Sequence, residues 1–160
     1  MNCRLRIIAA ILVATAFGYN LHYLFPHAIR AVSNGSVENV SSIFRIFIQN
    51  GYIILPAYAP ADGSYVLFSE KMLKIILSQE CYANYRYYED FFDCDDYSLL
   101  ALAELRRKYP GIACFMAGVP RGTGRHAMIV CASQEGKLLF YDPQTCTFEK
   151  VKSKQIEVFG

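Results

Sequence analysis

The first 25 residues constrain most strongly what this chain can become. Arg4 and Arg6 precede an apolar run from Ile7 to Phe25 that holds no Asp, Glu, Lys or Arg. A basic flank, a short apolar core and the small residues Ala14-Thr15-Ala16 are the layout of a secretory signal peptide. The stretch continues to Pro26, close to the ~20 residues that cross a bilayer as a helix. An uncleaved signal anchor is therefore the rival reading, with the arginines on the cytoplasmic side. Either way the sequence predicts a targeting helix over 1–25 and one compact domain over 26–160, secreted or membrane-anchored and outside the cytoplasm.

Charge excludes one class of partner. The chain has 16 basic and 14 acidic residues, and removing Arg4 and Arg6 leaves 14 against 14. A neutral body without a Lys/Arg run offers no basic surface to displace counterions from phosphates, so no nucleic acid is expected as a partner. With 54% hydrophobic residues the chain is not a disordered one either.

Of the six cysteines, Cys3 lies in the targeting segment, which leaves Cys81, Cys94, Cys114, Cys131 and Cys146. An odd number in an oxidising compartment leaves at least one thiol unpaired. No two are spaced as Cys-x-x-Cys, which argues against structural zinc. Cys114 and Cys131 sit in apolar strands, where a cysteine acts as a small hydrophobe.

Three helices are expected: one capped by Ser36 and running to about Gln49, one from Ser69 to Ser78, and one from about Cys94 to Lys108. The third is apolar on nearly every side, which predicts a buried central helix. Short strands are expected at 52–55, 112–119, 126–133, 137–142 and 147–152, with 120–125 as a glycine-rich hinge. Tyr82 to Phe92 packs four tyrosines and two phenylalanines into eleven residues, a core wall or a ligand groove. Helices first and an antiparallel meander last make the expected class α+β.

Three residues carry the expected chemistry. A cysteine nucleophile needs a base within reach, and His126 is the one histidine inside the domain away from Pro26. Cys94 begins a helix, where unpaired amides and the macrodipole favour thiolate. Asp142 follows His126 by sixteen residues across one hairpin, close enough to orient an imidazole. Each has a plainer reading: Cys94 as half of a disulfide or a filler, Asp142 as a turn residue before Pro143.

The segments Phe92-Asp93-Cys94-Asp95-Asp96, Gly111-Ile112-Ala113, His126-Ala127 and Tyr141-Asp142-Pro143 together resemble the transglutaminase-like branch of the papain-like cysteine enzymes. The pattern is also similar to the calcium-dependent papain-like protease domain of a mushroom agglutinin. The resemblance covers about 65–150. It implies a papain-like core with helices packed on a small antiparallel sheet, and a Cys94, His126 and Asp142 triad. The activity it implies is that of a cysteine hydrolase (peptidase) or acyltransferase on an amide or ester, with a protein or peptide as substrate. The alternative is a non-catalytic, membrane-anchored structural or binding subunit of the same fold. Met128 stands where such domains have Trp, and Tyr87 where papain-like proteases have an oxyanion-binding Gln.

Asp93, Asp95 and Asp96 flank Cys94 and oppose ionisation of its thiol. A calcium ion on these carboxylates and nearby carbonyls would offset them, and the agglutinin resemblance points the same way. The plainer reading is that acidic residues suit a helix's first turn.

Overall fold

The computed structural model describes residues 35–56, 63–89, 92–153 and 155–159, within one compact unit spanning 34–160. The apolar segment 1–25, expected as signal peptide or anchor helix, lies outside the described residues. Among the described residues no helix is long and apolar enough to cross a membrane.

The chain order is β1 (Ser36–Asn39), α1 (Val40–Gln49), β2 (Ile53–Pro56), β3 (Ser64–Leu67), α2 (Glu70–Ser78), α3 (Cys94–Lys108), β4 (Cys114–Arg121), β5 (Gly124–Ala132), β6 (Leu138–Asp142), β7 (Thr147–Glu149) and β8 (Gln155–Phe159). Six strands form one sheet in the order β2-β8-β4-β5-β6-β7, and β1 pairs with β3 separately. Among the described strands every ladder is antiparallel except that of β2 with β8.

Local chemistry sets the boundaries. Asn39 caps α1: its Oδ1 accepts from Ser42 N at 2.9 Å and from Ser41 Oγ at 2.6 Å. Ser36, expected as that cap, is instead in β1, paired with Leu67. The asparagine side chain takes over the role because it reaches the amide three residues on. Ser69 caps α2 by accepting from Met72 N at 3.3 Å. The core then forms where α1 lays Ile43, Ile46 and Phe47 against Tyr65, Phe115, Val130 and Phe140. Each fully buried side chain of this kind contributes on the order of 2 kcal/mol. Phe115 meets Phe47 and Tyr65 edge-on, with ring centroids 6.3 and 5.1 Å away.

The expected fold class needs correction. Rather than helices packed on a small, wholly antiparallel sheet, the described chain is built on a six-stranded sheet with a parallel edge pair, plus a second small sheet. Residues 155–159, to which the sequence reading assigned no element, form β8 and join β2 to β4. Five residues alternating Ile156 and Val158 inward are too short a run to stand out from sequence alone. The third helix also differs from expectation: Tyr97, Ser98, Ala101, Leu102 and Leu105 are buried, but Leu99 is 59% exposed. It is a one-sided helix packed on the sheet. The stretch 120–125 is no hinge but a tight hairpin, with Arg121 paired to Gly124 and Gly122 at φ +61°.

Among the described residues two disulfides are present. Cys114 bonds Cys131, its direct cross-strand partner, so both are oxidised rather than merely apolar fillers. Cys81 bonds Cys146.

Candidate functional site: a thiol, an imidazole and a carboxylate around one cavity

Among the described residues Cys94 is the free cysteine, and it is the first residue of α3. The helix start is fixed by its neighbours. Asp93 Oδ1 accepts from Asp95 N at 3.3 Å, and Asp96 Oδ2 accepts from Asp93 N at 3.2 Å. This reciprocal capping satisfies amides that would otherwise be orphaned. One turn on, Ser98 Oγ donates to Cys94 O at 2.9 Å. Buried Tyr97 donates its hydroxyl to Tyr85 O at 2.7 Å, tying the helix to the tyrosine-rich segment.

The sheet supplies the other two groups. β5 is paired to β6 only from Ile129↔Tyr141 to Ala132↔Leu138, so its first residues lie beyond the end of that ladder. There Ala127 N donates to Cys94 Sγ at 3.5 Å, which sets the sulfur beside the residue that follows His126. His126 Nε2 is 2.9 Å from Asp142 Oδ2. Asp142 is wholly buried, and its Oδ1 accepts from Gln144 N at 2.9 Å and Thr145 N at 3.3 Å. Burial pushes the Asp142 carboxyl up, but the His126 hydrogen bond and charge, with the two backbone amides, outweigh it and leave the carboxyl below its ordinary value. An ionised Asp142 can only accept, so Nε2 carries the proton and Nδ1 is left as the acceptor of the neutral ring.

Cys94, His126 and Asp142 line one open cavity of about 410 Å³, together with Tyr87, Arg121, Arg125, Gln144 and Thr145. Chemically this puts on one cavity a thiol and an imidazole whose tautomer is fixed by a buried carboxylate. The expected trio thus shares a cavity. Arg121, Arg125, Gln144 and Thr145 were not anticipated as site residues. Gln144 and Thr145 follow an Asp-Pro pair, and aspartate commonly accepts from amides two and three residues on, which is the sequence signal that could have found them.

The expected metal residues divide differently. One ligand atom each from Asp93, Cys94 and Asp95 lies within 4.8 Å of the others, whereas Asp96 is engaged on the Asp93 amide. A hydrogen bond with Asp93, followed by partial burial and the charges of Asp93 and Asp96, raises the Asp95 carboxyl above its ordinary value.

No family model matches the chain and no curated protein matches it. Among solved structures, the chain is similar to one described as a PSL1a-E64 complex, at 15% identity and a TM-score of 0.56, over 76% of this chain and 51% of that one. A second is Polyporus squamosus lectin bound to the human-type influenza-binding epitope Neu5Aca2-6Galb1-4GlcNAc, at 15% identity and a TM-score of 0.53, over 71% and 45%. The chain spans about half the length of these structures.

These likenesses correct the family expectation. Both structures match at a level that shows fold, and the lectin is named as such. A papain-like or transglutaminase-like core is replaced by a likeness to a lectin chain. With it go the amide- or ester-directed hydrolase or acyltransferase, the membrane-anchored subunit of that fold, and the protein or peptide substrate and membrane partner. The physical reason is that the resemblance rested on short motifs at a helix start, a strand start and a turn. Such motifs fix local geometry without fixing the surrounding topology.

Proposed function

We propose that this domain is a ligand-binding module whose pocket holds Cys94 as a nucleophilic thiol, with His126 as its base and Asp142 as the group that orients the ring. One observation carries the reading: the described free cysteine lines the same cavity as an imidazole paired to a buried, ionised carboxylate. The proton of the thiol passes to His126 Nδ1 and the sulfur lone pair forms a bond to an electrophilic carbon of the ligand, while the bond from that carbon to an electronegative atom breaks, its pair staying on that atom, which takes the proton back from His126. One similar structure is a complex with E64, which makes that compound a natural probe. The measurement is intact-mass and peptide-mass mapping after exposure of the disulfide-intact chain to iodoacetamide and, in parallel, to E64. Alkylation of Cys94 at pH 6 at least about tenfold faster than glutathione is the expected result. A rate equal to glutathione's would sink the reading.

A second reading concerns what the pocket recognises. The lectin of the second similar structure is described with a saccharide epitope bound, and this pocket is open and lined largely by polar side chains. A saccharide is accordingly the ligand class we propose. Calorimetry with Neu5Aca2-6Galb1-4GlcNAc tests it, together with protection of Cys94 from alkylation by the same sugar. Absence of both heat and protection would remove that sugar as the ligand.

Calcium remains a proposal on Asp93 and Asp95, whose carboxylates lie close enough to share a cation. Residues 1–25 remain proposed as a signal peptide, with residues 26–160 as the domain it delivers outside the cytoplasm.

A further inference from the structure

The charges around the pocket are met in different ways. Asp142 is buried against His126 and two backbone amides, so its charge is met from within. The other charged side chains around the cavity are Arg121 and Arg125. They differ in placement. Val119 pairs with His126, so strand alternation puts Arg121, two residues on, on the His126 face of the sheet. Arg125 falls on the opposite face, where its Nη2 donates to Gly118 O at 3.1 Å and its Nη1 pairs with Glu157 at 3.0 Å.

Arg121 has a different engagement. Its side chain is 52% exposed, and a single nitrogen, Nη2, reaches both Glu149 oxygens at 2.8 and 2.6 Å. Nε and Nη1 take no part in that pair. An exposed ion pair of this kind is weak, whereas a guanidinium binds a carboxylate best through two parallel N–H donors. The tight turn at Gly122 ends the strand pairing at Arg121↔Gly124, so the position of the residue is set by the sheet.

We infer that Arg121 makes the pocket selective for ligands that carry a carboxylate, which takes the place of Glu149 on the guanidinium. The inference rests on the pocket reading of the proposed function and deepens it by naming the charge class of the ligand.

Iodoacetate and iodoacetamide react with a thiolate by the same displacement. Sulfur bonds to the CH2 carbon, iodide leaves with the bonding pair, and the two reagents differ by one carboxylate charge. The experiment measures the ratio of their rate constants at Cys94, iodoacetate over iodoacetamide, in the full chain with disulfides intact. The ratio should fall about threefold or more in Arg121→Gln, stay within about twofold of the starting value in Arg121→Lys, and rise in Glu149→Gln. Raising the salt from about 0.05 to about 0.5 M should shrink the Arg121→Gln difference. An unchanged ratio in Arg121→Gln, with circular dichroism unaltered, overturns the inference. So does an equal fall in Glu149→Gln, which would mark distortion of the hairpin rather than loss of charge. Failure of the nucleophile reading shows separately, as a Cys94 rate no faster than a free thiol's, while the ratio still reports the charge at Arg121.

Discussion

The two halves of the pocket are held by different means. His126 and Asp142 come from strands of the central sheet, where Met128 through Ala132 are completely buried. Cys94 comes from the end of a helix whose neighbour is the segment 79–89, in which Tyr85, Tyr87 and Tyr88 are each about half exposed. On the sheet side position is fixed by a ladder and a core. On the helix side it depends on a few discrete ties: the Asp93 cap, the Tyr97 hydroxyl, the Tyr82 N to Pro143 O bond at 2.9 Å and the Cys81–Cys146 disulfide. The difference teaches that orientation of the imidazole and placement of the tyrosine-rich rim should fail independently.

The largest expected effect comes from cutting the strongest tie on the helix side. Cys81 and Cys146 are 65 residues apart, against 17 for Cys114 and Cys131. On the chain-entropy account the longer loop stabilises by about 4 kcal/mol and the shorter by about 3. The paired substitution Cys81→Ser with Cys146→Ser should therefore lower the urea midpoint more than Cys114→Ala with Cys131→Ala does. It should also raise protease cleavage within 79–89, while the second pair leaves that segment intact. Cleavage rising equally in both would break the distinction between the halves.

Next in size is the sheet side. Asp142→Asn keeps the volume but removes the charge that faces His126, and a mispaired buried partner costs about 1 to 3 kcal/mol. The pH dependence has a definite sign. Asp142 is held below its ordinary value in the fold, so its contribution is fully present above the unfolded carboxylate value of about 4 and is lost as pH falls through the lower native value. Denaturation curves between about pH 6 and 3 should therefore show a decline in the unmodified chain that is shallower in Asp142→Asn. Parallel declines would assign the acid sensitivity to other carboxylates.

What the sequence could disclose follows the same division. The ends of α2 and α3 were readable because their signals are local: Ser69 and Asp93 each accept from an amide two or three residues ahead. The strands at 126–133 and 137–142 were readable because one short turn joins them, and that hairpin also brought His126 and Asp142 within reach. Long-range features were not. Nothing in 155–159 announces that it will insert between β2 and β4, and nothing in the spacing of five cysteines picks 81 with 146. The family expectation failed for that reason as well, since Cys94, His126 and Asp142 sit in local motifs while topology is settled by pairings such as β2 with β8.

A smaller effect is expected at the link between the halves. Tyr97→Phe removes one buried hydrogen bond to Tyr85 O and keeps the ring that packs 4.8 Å from Phe92. A loss of about 1 kcal/mol is expected, with faster amide exchange confined to residues near Tyr85. Exchange that quickens equally through β5 and β6 would show that the helix side and sheet side open together.

The smallest effect concerns the charges at the helix start. In contrast to Asp142, Asp95 holds its proton more tightly in the fold than in the unfolded chain, chiefly through its hydrogen bond with Asp93. Its ionisation therefore works against the fold as pH rises past about 4, opposite in sign to the sheet-side carboxylate over the same range. A calcium ion shared by Asp93 and Asp95 would relieve that repulsion, keep both groups ionised, and place positive charge within reach of the Cys94 sulfur. The rate of Cys94 alkylation plotted against pH should then move to lower pH, by a fraction of a unit, when calcium replaces chelator. Asp95→Asn should abolish that movement and leave the Arg121-dependent preference for iodoacetate intact, because the arginine stands on the sheet hairpin and the aspartate on the helix. Superimposable curves with calcium and with chelator would leave Asp93, Asp95 and Asp96 as residues of the helix cap alone.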